Sequence, residues 1–496
     1  MQLSASTIGS LPVDVAVPGY DRSSVTVGIV HFGVGGFHRS HQAMFVDRLM
    51  NRGEALDWGI CGVGAMHQDA GIRDVMDAQD CLYTLELKHP DGSRDLRVIG
   101  SIVQFLFAPD DPDAVIERMA DPAVRIVSLT ITEGGYNFDQ VTGEFDVTNP
   151  AVLKDAALTS PPATVFGLVV EALARRRERG IEPFTVMSCD NIQGNGEVAR
   201  RSFSAYARLR SPELGDWVES SVAFPNSMVD RITPVTTDDD RAEIADRLGV
   251  TDAWPVVAEP FEQWALEDHF PLGRPAFERV GVQVVEDVEP YELMKLRLLN
   301  ATHQGMCYLG YLAGYRYAHE ASADPAIAQF LLDYMDFEAT PTLRPVPGVD
   351  LAGYKRMLIE RYRNPEVRDT LARLCAESSD RIPKWLLPVV REQLATGGPV
   401  RNSAAIVASW ARYVEGVDDQ GAPITVVDRL RDELVPLAQS QRENILAFLQ
   451  NRSLFGDLAE NDRFTTEYRA ALESLFENGA QATVEAYAGF SPRVAS

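Results

Sequence analysis

Apolar positions along the chain follow two rhythms. Up to about residue 285, short runs of consecutive apolar residues alternate with segments whose apolar positions recur every three to four residues. The first run, VTVGIVHF from Val25, is rich in β-branched side chains and apolar on both faces. That is the pattern of a strand buried between two layers, as in a parallel sheet covered by helices. A glycine cluster follows it, then HQAMFVDRLMNRG, whose spacing predicts a helix ending at Gly53. WGICGVGAM from Trp58 reads as the next strand, and YTLELKHPDGSRDLRVIGSI from Tyr83 as a hairpin around PDG. VRIVSLTIT from Val124 predicts another core strand, followed by EGGY, and PFTVMSCDN from Pro183 a further one, entering the turn-rich NIQGNG. Strand–helix alternation with apolar strands means an α/β architecture of Rossmann type.

Beyond that point strand-like runs become scarce. Segments from Pro290, Pro325, Tyr354, Asn364 and Asn402 carry helical periodicity. The expected organisation is a Rossmann-type dinucleotide-binding domain over 1–285 and a mostly α-helical domain over 286–496, which would bind substrate and carry the chemistry. No internal repeat or low-complexity tract interrupts either part.

Composition narrows the partners. Hydrophobic residues make up 45% and charged residues 24% of the 496, an ordinary globular balance. Lys and Arg number 46 against 72 Asp and Glu, a net charge of −26. Such a surface repels phosphate backbones and anionic membranes, so neither nucleic acid nor a membrane is an expected partner. An anionic cofactor would have to be held by local backbone N–H groups. Cys61, Cys81, Cys189, Cys307 and Cys375 are scattered and odd in number, the usage of a reduced cytoplasmic protein without a structural zinc site. The N-terminus lacks a basic segment followed by an apolar core, so no signal peptide is expected. No apolar run approaches the roughly 18 residues of a membrane helix.

FGVGGFHRSH, directly after the first strand, supplies the G-x-G of a dinucleotide fingerprint in Gly33 and Gly35. Gly36 adds room, and His38 stands where a third glycine is expected. The chemistry needs a tight turn and a backbone close enough to donate N–H groups to a pyrophosphate. Arg39 is a candidate positive charge for that anion. The acid that would read the ribose hydroxyls should follow the second strand, and Asp69 in AMHQDAG does. A carboxylate there repels a 2′-phosphate and favours NAD over NADP; the same residue is also a candidate N-cap for GIRDVMDA.

YELMKLRLLNATHQG, from Tyr291, sets Lys295, Asn300 and His303 within an apolar helical pattern. At about 100° per residue the three fall within an arc of about 140°, so they could line one face of a cleft. The set fits alcohol oxidation, in which a hydride leaves carbon while the hydroxyl loses a proton. A desolvated amine can accept that proton, an amide can donate to the developing alkoxide, and an imidazole can hold a neighbouring hydroxyl. Tyr291 and Lys295 also spell Y-x-x-x-K, but such a pair arises by chance in long helices, and Tyr291 reads as packing.

Taken together, GIVHFGVGGFHRSHQAMFVD, SLTITEGGY, CDNIQGNG, FPNSMVDRITP, KLRLLNATHQGMCYLGYLAG, NPEVRDTLARLC and SSDRIPKWLLP resemble the polyol-specific long-chain dehydrogenase/reductase family. The resemblance runs from about Ile29 to about Pro388. It implies a metal-independent, NAD-dependent interconversion of sugar alcohols and ketoses by a monomer, with the active site between the two domains. D-mannitol and D-fructose are the leading pair. D-arabinitol or sorbitol oxidation, or fructuronate or tagaturonate reduction, are alternatives. The resemblance puts the catalytic base on Lys295 and the oxyanion-stabilising pair on Asn191 and Asn300. Substrate-binding roles fall on His303, Asp230, Arg373 and Lys384. Cofactor contacts fall on Gly33, Gly35, Gly36, Phe37, His38, Arg39, Asp69 and Glu133; Glu292 could relay a proton or be surface charge. No metal ligands are expected: none of the eight His forms H-E-x-x-H, and His31, His38 and His41 read as servants of the glycine turn.

Overall fold

The apolar runs of the first half form a parallel sheet in the computed structural model, which describes residues 1–138 and 144–489. The strands of the described residues are β1 (Val27–Phe32), β2 (Gly59–Gly64), β3 (Tyr83–Lys88), β4 (Arg94–Ile99), β5 (Ile102–Phe107), β6 (Ile126–Leu129), β7 (Thr185–Ser188), β8 (Ser227–Asp230), β9 (Val256–Ala258), β10 (Gln263–Glu267) and β11 (Gln283–Val285). Five of them, in the order β5-β2-β1-β6-β7, pair in parallel throughout. The chain builds from β1 to one side through β2 and β5, then to the other through β6 and β7. The reversal lies between β1 and β6, and open α/β sheets bind ligands beyond the carboxyl ends of strands at such a point.

Alternation along each strand feeds two cores. Val30, Phe32, Val63, Val127, Leu129 and Val186 meet helices Pro112–Ala120, Val165–Glu178 and Asn195–Arg210 on one face. Ile29, Ile60, Ile126 and Met187 meet helix Gln42–Met50 and Trp264 on the other. Each such side chain, fully buried, favours the fold by about 1.5–3 kcal/mol. The hairpin around PDG forms as expected, β3 against β4, but it stands outside this sheet and pairs with β9 in the order β4-β3-β9. A third sheet has the order β11-β10-β8. Strands β8 to β11 hold three to five residues each, too few for a periodic signal to announce them.

The chain divides into two compact units, Met1–Glu289 and Pro290–Ser496, a few residues beyond the 285/286 boundary drawn from the pattern. In the second unit, helix Ala301–Ala313 is buried at every position except Tyr311 and Ala313, and packs against helices Arg401–Val414 and Asp462–Tyr487. The helix expected from Asn364 does not begin there. Asn364 Oδ1 accepts the Glu366 N–H at 3.0 Å, an Asx turn that competes with helix, and Arg368 adopts φ +49°. Helix resumes only at Leu371–Cys375.

Candidate active site

The end of β1 makes the turn that the glycines predict. Gly33 has φ +89°, and a Cβ there would stand 2.1 Å from the carbonyl oxygen of Thr130. Gly35 differs: it is the N-cap of helix Gly36–Ser40 with φ −82°, and a Cβ on it would meet only Gly33 O, at 3.9 Å. A tight turn followed by an unobstructed backbone is what a pyrophosphate requires, so these residues fit a dinucleotide. Phe37 is half-buried against His41, with ring centroids 4.8 Å apart.

Below the turn His31 holds the backbone. His31 Nδ1 bonds Ser128 Oγ at 2.8 Å, and its Nε2 meets Thr130 Oγ1 at 3.0 Å and Gly33 O at 3.2 Å. Thr130 Oγ1 donates to Gly33 O at 2.6 Å. His38 stacks on His31 with centroids 3.4 Å apart, and His41 Nε2 lies 3.1 Å from Gln263 O. Both His38 and Arg39 are therefore interior residues, not groups facing an anion. Arg39, expected as a positive charge for the cofactor, turns inward. Its Nη1 donates to the Trp254 carbonyl, and its guanidinium lies 5.3 Å from the Tyr83 ring centroid. Burial lowers its pKa to about 10.

Burial also pushes both imidazoles down, His31 to about 3. The unfolded chain then binds protons that the folded chain refuses as pH falls below about 6.5, so both groups make stability decline with acidification. Urea unfolding at pH 7 and pH 5 should show this loss, and His31→Gln, weaker at pH 7, should show a shallower one. Equal slopes in the two proteins would contradict a neutral, buried His31.

The other carboxyl ends of the sheet carry further candidates. Asp69 follows β2, as expected of a ribose-reading acid, but it does not cap the next helix with its side chain. Its Oδ2 turns back to accept the Met66 N–H at 2.9 Å, which orients the carboxylate at the strand end. Glu133 begins the turn Glu133–Tyr136 after β6, preceded by Thr132 at φ +65°. Asn191 follows β7. These two loops are tied by a residue the sequence did not single out. The buried Asp190 carboxylate accepts N–H groups from Ile131 and Thr132 at 3.0 and 2.8 Å and the Tyr136 hydroxyl at 2.8 Å. Burial raises its pKa, and these donors oppose the rise. Asn195 Nδ2 in turn holds Asp190 O at 3.0 Å and Ser227 O at 2.7 Å. Asp230 is buried at the end of β8, and the neighbouring Arg231 is structural, donating to Glu259 O at 3.1 and 3.0 Å and to Ser40 O at 2.7 Å.

In the second unit Lys295, Asn300 and His303 are all buried on one continuous helix, and Glu292 is buried just before them. The helix is not uniformly α, as the 100° spacing assumed. Lys295–Asn300 is a π turn between Glu289–Met294 and Ala301–Ala313. A turn closed from i to i+5 sets Lys295 nearly above Asn300, where an α-helix would hold them about 140° apart. Arg297, in the same turn, points to a different anchor, pairing with Glu392 at 2.7 and 2.9 Å. Tyr291 packs as expected, donating to Pro347 O at 2.7 Å. Arg373 and Lys384 lie on helices Leu371–Cys375 and Ser378–Trp385, which both pack against Ala301–Ala313, the second also against the π turn, and the Arg373 guanidinium grips Asp369 at 2.7 and 2.5 Å.

Comparison with known proteins agrees with this anatomy. Residues 27–279 match the family model of the mannitol dehydrogenase Rossmann domain, and residues 287–476 that of the mannitol dehydrogenase C-terminal domain. A mannitol 2-dehydrogenase from Phaeosphaeria nodorum is 46% identical over 492 residues, covering 98% of this chain and 86% of the relative. The Pseudomonas fluorescens mannitol 2-dehydrogenase, solved as a ternary complex with NAD and D-mannitol, is 44% identical over 98% of this chain and 99% of its own, with a TM-score of 0.87. A D-sorbitol dehydrogenase in substrate-free form is 38% identical over 98% and 100% of the two chains, with a TM-score of 0.92. Two family models matched in order across both units, and relatives alike along nearly the full length, place this chain in the mannitol dehydrogenase family.

Proposed function

We propose that the protein oxidises D-mannitol to D-fructose with NAD, and runs the reverse reduction, without a metal ion. The observation that carries this is the 44% identity, over 98% of the chain, to a mannitol 2-dehydrogenase solved with NAD and D-mannitol. Gly33, Gly35 and Gly36 would hold the pyrophosphate, Phe37 and Glu133 would border the cofactor, and Asp69 would read its ribose. Bound NAD supplies the hydride acceptor. Lys295, as a neutral amine, takes the proton from the hydroxyl of the carbon being oxidised. Asn191 and Asn300 donate side-chain N–H groups to the oxygen as it gains negative charge. His303 and Asp230 hold neighbouring hydroxyls, and Arg373 and Lys384 contribute outer hydroxyl contacts. The same reading has the enzyme work as a monomer in the cytoplasm, a setting that five free, buried cysteines support.

A second reading, sorbitol as the preferred polyol, is favoured by the TM-score of 0.92 to a D-sorbitol dehydrogenase. Initial rates with D-mannitol, D-sorbitol and D-arabinitol, with NAD and with NADP, separate the two, alongside reduction of D-fructuronate and D-tagaturonate. The expected result is the highest kcat/KM for D-mannitol with NAD and no effect of chelator. A higher value for sorbitol would establish the second reading, and abolition of activity by chelator would overturn the lysine mechanism.

A further inference from the structure

The π turn is held by hydroxyl groups from outside it. Three consecutive carbonyls, those of Arg297, Leu298 and Leu299, each accept one. Tyr334 donates to Arg297 O at 3.2 Å, Thr302 Oγ1 to Leu298 O at 2.5 Å, and Tyr362 to Leu299 O at 3.1 Å. Thr302 Oγ1 also reaches Leu299 O at 3.0 Å, and the Thr302 and Tyr362 hydroxyls lie 2.8 Å apart. A π turn displaces carbonyls from their α-helical partners, and buried carbonyls need replacements. Tyr362, the last residue of helix Leu351–Tyr362, does more than supply one. Its ring lies 4.7 Å from the His303 imidazole, centroid to centroid. One buried side chain thus braces the backbone beside Asn300 and the ring of His303.

We propose that Tyr362 is a positioning residue for polyol oxidation, its hydroxyl, shared with Thr302, holding the turn that aligns Lys295 with Asn300 while its ring sets the attitude of His303. This rests on the assignment of Lys295 as base. If the turn relaxed to α geometry by one residue, Lys295 would swing by about 100° about the helix axis relative to His303. On a side chain of that length the amine would move by far more than the displacement of ~1 Å that already slows a reaction about 100-fold.

The test compares Tyr362→Phe, Thr302→Val, Thr302→Ser and Lys295→Ala in the full chain, reading kcat with D-mannitol, the pH profile of kcat/KM, and NADH affinity. Tyr362→Phe and Thr302→Val should each lower kcat about 10- to 100-fold, shift the acid limb of the pH profile, and leave NADH affinity within about twofold. Thr302→Ser, which keeps the hydroxyl, should retain most of the turnover. Wild-type kcat and pH profile in Tyr362→Phe, with Lys295→Ala inactive, would overturn the positioning role alone. Wild-type turnover in Lys295→Ala would overturn the assignment of the base and this inference with it. If Tyr362→Phe does not fold, equal turnover in Thr302→Val and Thr302→Ser overturns the proposal, and a loss confined to Thr302→Val supports it.

Discussion

Lys295→Ala should bind NADH as the wild-type protein does and turn over D-mannitol about 100-fold more slowly, or worse. The residue is buried at the first position of the π turn, where the backbone is anchored by the Arg297–Glu392 pair and by three hydroxyls. Truncation therefore removes an amine without removing what shapes the turn. On the proposed mechanism, loss of the base would leave the substrate hydroxyl with no group to take its proton even with Asn191 and Asn300 in place to donate to the oxygen, so the chemical step would slow while cofactor binding at the glycine turn would be kept. Small primary amines added to the variant should restore part of the rate, because they replace the missing function and not a contact. Asn300→Ala gives an independent reading of the same step: loss of one oxyanion donor should lower kcat by about 100- to 1000-fold with Lys295 in place. Melting temperature and NADH affinity separate these effects from misfolding. Wild-type turnover in Lys295→Ala would remove the residue from the role of base.

Much of the first unit could be read from the pattern because its central strands are apolar on both faces, a signal that survives without tertiary context. β1, β2, β6 and β7 were legible in this way, and so was the glycine turn, since a left-handed residue against a neighbouring strand admits little but glycine. The rest was hidden for physical reasons. Strands β8 to β11 are short and owe their pairing to partners far along the chain. Arg39 looked like a free charge beside the turn because its acceptor, the Trp254 carbonyl, lies 215 residues away. Asp190 stood one position before the conspicuous Asn191, and only the folded loops show that it accepts the Ile131 and Thr132 N–H groups. The π turn was invisible to any reading that assumes 100° per residue; a Thr at position 302 was its faint sign, since the hydroxyl bonds back to the preceding turn. The identity of the polyol lay in no single residue, only in the likeness of whole motifs.

The two glycines of the turn should fail in opposite ways. In Gly33→Ala, the methyl must be placed on a backbone at φ +89° and 2.1 Å from the Thr130 carbonyl oxygen. That oxygen belongs to backbone just after β6, the immediate neighbour of β1 in the middle of the sheet, so relief requires parting two central strands or flipping the turn. Left-handed strain and overpacking together should destabilise the first unit by about 3 kcal/mol or more, visible as a melting temperature lower by roughly 6–12 °C. His31 and Thr130, both bonded to Gly33 O, would lose their acceptor geometry in the same variant. In Gly35→Ala, φ of −82° suits alanine and the methyl meets only Gly33 O at 3.9 Å, so the melting temperature should hold. The methyl instead enters the space that a pyrophosphate would use, and an overlap of about 1–3 kcal/mol weakens NAD by roughly 5- to 150-fold while kcat at saturating NAD is largely kept. A Gly35→Ala protein with unchanged KM for NAD would take the pyrophosphate away from this turn, whereas a Gly33→Ala protein as stable as the wild type would mean that β1 and β6 lie farther apart than the structure places them.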